Sequence, residues 1–81
     1  NLGTVKLFHA DHPAAVDRFR KALSIAPDDA VTRTNLGVAL FAMGRIEEAR
    51  REAETALEYD PEYAKAKGLL QDIEQADGAP R

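Results

Sequence analysis

The chain repeats itself at an offset of 34 residues. Asn1-Leu2-Gly3 returns as Asn35-Leu36-Gly37, Ala15 as Ala49, Ala22-Leu23 as Ala56-Leu57, Pro27 as Pro61 and Ala30 as Ala64. A period of this length, helical throughout, requires units that each leave one apolar face uncovered and bury it by stacking on the next. With 81 residues there is room for one small domain and no second core. The first residue is Asn and falls inside a repeat, so the chain is expected to be a piece of a longer protein.

Apolar spacing predicts five helices, at about 1–10, 12–25, 29–43, 46–59 and 61–76. In the second, Val16, Phe19 and Leu23, with Ala15 and Ala22, form one stripe, and Asp17, Arg18, Arg20 and Lys21 take the other faces. The third carries Leu36, Val38, Ala39, Leu40 and Phe41, an arc broad enough to require several neighbours. The fourth places Ile46, Ala49, Ala53, Ala56, Leu57 and Tyr59 on one side, with Glu47 and Arg51 as an i,i+4 pair on its charged face. Turn chemistry agrees. Asp11 suits a cap for the second helix with Pro13 in its first turn, and Gly44 suits the left-handed position that ends the third. Asp60-Pro61 reads as a cap followed by a first helical residue. Residues 77–81 are expected to fray.

Residues 30–63 resemble a tetratricopeptide repeat through Leu36-Gly37, Leu40, Gly44, Ala49, Ala53, Ala56 and Pro61, and the first copy does so through Leu2-Gly3, Ala15, Phe19, Ala22 and Pro27. The resemblance implies an all-α solenoid: a single domain over 1–76, built from a truncated repeat at about 1–29, a second at about 30–63 and a capping helix at about 61–76. Gly37 and Ala49 are expected on facing helices, where small side chains let backbones approach. The family's large residue at the start of the repeat is Arg33 here, so its aliphatic stem should pack while the guanidinium reaches water. Ala64, Leu70 and Ile73 are expected to hold the last helix on the preceding hairpin. Lys67, Gln71 and Glu74 make its other side a solvating end to the array.

In proteins similar to this, the first helix of each repeat lines a concave groove that holds an extended peptide. Carried over by position, the groove comprises Thr4, Leu7 and Phe8, then Val31, Thr34, Asn35, Val38, Phe41 and Ala42, then Lys65, Leu69 and Asp72. Apolar groups rimmed by polar ones suit partner binding, although Phe8 and Phe41 would be unavailable if they fill inter-helix space. Some family members grip C-terminal carboxylates with two Asn and three basic residues. Asn35 and Lys65 match that pattern, but Thr4 replaces an Asn and Leu69 a basic residue, so the full clamp is not expected.

The reading that follows is a protein-interaction module for a peptide or an extended partner segment. Its alternative is self-association, or a structural spacer within a longer array, through a first-hairpin face containing Val5 and Phe8. A net charge of -3 and the lack of clustered Lys and Arg argue against nucleic acid. No apolar run approaches a bilayer span of ~18–20 residues. Zero cysteines exclude disulfide and thiolate chemistry within this chain, and the compartment stays open, with cytoplasm only the default. His9, Asp11 and His12 have ligand chemistry but no fourth partner nearby, so no metal or other cofactor is expected. Glu47 and Glu48 point in different directions on a helix, and there is no phosphate loop and no nucleophile with a base, so no enzymatic activity is expected.

Overall fold

The computed structural model describes residues 12–77, and these form four helices: α1 His12–Ile25, α2 Ala30–Ala42, α3 Ile46–Tyr59 and α4 Ala64–Asp77. No strand occurs among the described residues. The expected helix at 1–10, the Asp11 cap and the groove residues Thr4, Leu7 and Phe8 lie outside them.

Helix α1 carries Pro13 in its first turn, where a missing N–H costs nothing, and stops at Ile25, just before the pre-proline residue Ala26. The four residues that follow close a turn in which the Asp29 N–H donates to the Ala26 carbonyl at 3.2 Å, with Pro27 at its second position. Asp29 then caps α2: its carboxylate accepts from the Thr32 N–H at 3.2 Å and from the Thr32 hydroxyl at 2.8 Å. The Thr32 hydroxyl first, and its N–H second, hold the Asp29 carboxyl below its ordinary value of 3.8. A depressed folded-state pKa contributes stability above the unfolded value, and that contribution disappears as pH falls through the lower folded one. Asp29→Ala should therefore lower the melting temperature at about pH 7, with a deficit that shrinks steadily below about pH 4. Parallel melts of the two proteins across that range check this, and a gap independent of pH contradicts it.

The α2–α3 hairpin is closed by three residues. Gly44, at φ +83°, gives its N–H to the Phe41 carbonyl at 3.0 Å, and Arg45 gives its own to Leu40 at 2.9 Å. This pair of bonds satisfies the last carbonyls of α2 and reverses the chain, as the placement of Gly44 predicts.

After α3 the outcome differs from the expected cap at Asp60. The Asp60 N–H still bonds to the Ala56 carbonyl, so Asp60 ends α3. Its side chain accepts from the Glu62 N–H at 3.3 Å and its carbonyl from the Tyr63 N–H at 3.1 Å. Pro61 thus occupies the second position of a turn, one period after Pro27, and α4 starts at Ala64.

The core lies between α2 and the helices on either side of it. Val16 and Leu23 from α1, Leu36, Ala39 and Leu40 from α2, Ala49 and Ala53 from α3, and Leu69 and Ile73 from α4 form one buried cluster. Ala30, Ala56 and Ala66 form a second at the repeat junction. The broad arc of α2 does touch several neighbours, and the alanines of α3 are fully buried. Two residues of the expected stripes face outward instead: Ala22 is exposed, and Tyr59 is half-exposed at the end of α3. Helix α4 docks through Ala66, Leu69 and Ile73, with Leu70 partly buried, whereas Ala64 is exposed. On the surface Glu47 pairs with Arg50 at 3.0 Å instead of with Arg51, and Arg20 of α1 reaches Glu48 of α3 at 3.7 Å.

Candidate functional site

Residues 31, 35, 38 and 42 recur at helical spacing, and the structure leaves them along one outward stripe of α2. Val31 is 50% exposed and Val38 40%, which sets them apart from the buried Leu36 and Leu40 on the same helix. Ala42 is exposed and Asn35 partly so. From α4, Lys65 crosses to this stripe: its Nζ donates to Asn35 Oδ1 at 2.9 Å. That bond fixes the amide so that Nδ2 and its two N–H donors turn away from Lys65, and Lys65 keeps two N–H donors of its own. Asp72, two turns along α4, is exposed and adds the one acid of the expected set. The result is a donor pair flanked by two exposed valines.

Three expected groove residues are placed differently. Thr34 is fully buried, and its hydroxyl donates to the Ala30 carbonyl at 2.8 Å, so it has neither access nor a free proton for a partner. Leu69 is only 5% exposed. It lies about 40° around α4 from Lys65, toward the arc that Ile73 occupies, and it enters the space that Gly37 leaves: a Cβ on Gly37 would come within 2.8 Å of Leu69 Cδ2. Phe41 is half-buried against the core cluster, so it fills inter-helix space in part.

Gly37 and Ala49 do meet as the resemblance implies, since the same Cβ would stand 3.3 Å from the Ala49 carbonyl oxygen.

The Arg33 guanidinium does not simply reach water. Its Nε donates to the Pro27 carbonyl at 2.9 Å, and its Nη1 meets Glu52 Oε1 at 3.1 Å, with both side chains 19% exposed. Its Cζ lies 5.8 Å from the centre of the Tyr59 ring, within cation–π range. The sequence signal was a charged residue where a large apolar one is usual; its partners, 19 positions away in the case of Glu52, carried none.

Of the metal hypothesis, His9 and Asp11 lie outside the described residues, and no cluster of three potential ligands occurs among those described. No described helix is long and apolar enough to cross a membrane.

The tetratricopeptide repeat family profile matches residues 9–73. The chain is 36% identical over 64 residues to a TPR repeat-containing thioredoxin, TTL4, of Arabidopsis thaliana, which covers 79% of this chain and 9% of that protein. It is equally 36% identical over 64 residues to the heat-shock protein cognate co-chaperone sgt12 of Aspergillus fumigatus, covering 79% of this chain and 19% of the relative. It is 24% identical over 78 residues to the small glutamine-rich tetratricopeptide repeat-containing protein 2 of Saccharomyces cerevisiae, covering 96% and 22%. The chain thus spans about a tenth to a fifth of the length of these relatives. Period, hairpin geometry and profile agree: the chain belongs to the tetratricopeptide repeat family.

Proposed function

We propose that this domain is a protein-interaction module that takes an extended partner segment along the outward stripe of α2, beside Lys65 and Asp72 of α4. The observation that carries the reading is the exposure of Val31 and Val38 on either side of the Asn35–Lys65 bond. Apolar side chains of a partner would bury against the valines, and its carbonyl or carboxylate oxygens would accept from Asn35 Nδ2 and Lys65 Nζ. Asp72 would accept from its amide or cationic groups. Thr34, Leu69 and most of Phe41 take no part, because the fold consumes them. The co-chaperone name of one relative is in keeping with a protein as the partner. A small face of this kind supports affinity of about micromolar strength.

The test is a displayed peptide library selected against the domain, with each binder then measured on Val31→Glu/Val38→Glu. Both sites are exposed, so the double variant should keep its helical signal. Binding should weaken at least about tenfold, the equivalent of about 1.4 kcal/mol. Selected peptides that bind the double variant as tightly as the parent would rule this face out. Light scattering over a concentration series separates the alternative: a mass that rises with concentration, and does so equally in the double variant, points to self-association elsewhere.

A further inference from the structure

Neither α1 nor α3 has a basic residue in its last turn. Helix C-termini carry partial negative charge from their unpaired carbonyls, and a cation near them is favourable. Arg33, from α2, brings one cation close to both: its Nε bonds the Pro27 carbonyl in the turn after α1, and its Cζ lies 5.8 Å from the ring of Tyr59, the last residue of α3. Its third contact, Glu52, sits lower on α3. One planar group therefore touches the turn between the repeats and the second helix of the following repeat. Those two parts have to hold a fixed angle if successive repeats are to share one face.

The geometry points to Arg33 as a strut that sets the pitch between the two repeats, and so as a positioning residue for the stripe of Val31 and Asn35, which are two places either side of it. The pitch role stands without a ligand, while its effect on binding rests on the function proposed above. The hydrogen bonds, ion pair and ring contact of Arg33 go to Pro27, Glu52 and Tyr59 and not to that stripe; it acts by holding α2 against the α1–α2 turn and α3. Lysine would replace it only in part. A single ammonium on a flexible stem lacks the fork that serves carbonyl and carboxylate together, and stacks less well on a ring.

The chain has no cysteine, so two can be introduced for spin labels without background. Ala14 on α1 and Gln71 on α4 are exposed and lie on helices at opposite ends of the described stack. Ala14→Cys/Gln71→Cys in the parent should give a single narrow distance distribution by pulsed dipolar spectroscopy. Adding Arg33→Met, which keeps the stem, should broaden and shift it; Arg33→Lys should fall between; Glu52→Gln should broaden it slightly. All are measured well below their own melting temperatures, where loss of stability alone moves nothing. Superimposable distributions for folded Arg33→Met and the parent overturn the proposal. If Arg33→Met fails to fold, an unchanged distribution in both Arg33→Lys and Glu52→Gln overturns it equally, because the pair then contributes stability without setting pitch. No peptide enters this measurement, so its failure and that of the binding face remain separate results.

Discussion

Leu40→Ala should remove about 2–5 kcal/mol of folding stability. Leu40 is wholly inaccessible, in a helix whose neighbours approach it from more than one side, so the space vacated by its branched end has no single wall that can move in. A domain of this size has only ~4–12 kcal/mol in total at 0.05–0.15 kcal/mol per residue. The variant should thus lose a large part of its resistance to urea, and in a marginal domain it would be unfolded in buffer. Val38→Ala, two residues away on the same helix but 40% exposed, is the control, expected within about 0.5 kcal/mol of the parent. Urea midpoints at constant slope decide the matter. If Leu40→Ala costs less than about 1 kcal/mol, the core described for α2 is wrong.

Gly37→Val should be the second severe substitution, and Gly37→Ala should not. Alanine in a helix interior gains about 1 kcal/mol over glycine. Against that, the new Cβ meets Leu69 Cδ2 at 2.8 Å and the Ala49 carbonyl oxygen at 3.3 Å. The first is the tip of a flexible side chain and can swing aside; the second is backbone and must give by a few tenths of an ångström. Gain and strain nearly cancel for alanine. Valine adds two methyl groups in the same space, and overpacking of this kind costs about 1–3 kcal/mol. Leu69 is the residue displaced, so α4 should loosen before α3 does. Hydrogen exchange should show amides of α4 speeding up more than those of α3, and a uniform change across the four helices would contradict the close contact assigned to Gly37.

The helical pairing was legible because the chain states it twice. The 34-residue offset locates the hairpins, and Gly44 and Pro27 locate turns whose hydrogen bonds are local. The start of α4 was harder to read for a chemical reason. Asp followed by Pro serves equally well as a cap with a first helical residue and as the opening of a turn. What decides between them is whether the Asp60 N–H still belongs to the helix before it, and that depends on packing at the end of α3.

Leu69 shows a second limit. It follows Lys65 by four residues, so the two share a face to within about 40°, and only the hole at Gly37 tells which of them turns inward. Within the proposed face, Val31, Asn35, Val38 and Lys65 follow from the family resemblance carried over position by position, whereas the Asn35–Lys65 bond spans 30 positions and joins different helices. Arg33 stands out as an anomaly for its helix, but solvent is the wrong partner: a charged side chain only 19% exposed needs acceptors, and they come from a turn and from another helix.

The turns described for this domain are short, four, three and four residues between successive helices, and each helix packs chiefly on those next to it in the chain. Little of the chain must therefore be complete before contacts begin to form. As such a chain leaves the ribosome, α2 can settle against α1 while α3 is still being made, and the last helix closes over apolar surface that would otherwise wait in water. The part of that surface that α4 covers stays open until the fourteen residues of α4 are made. A fold assembled from neighbours in the chain shortens the time each apolar face waits for the helix that covers it.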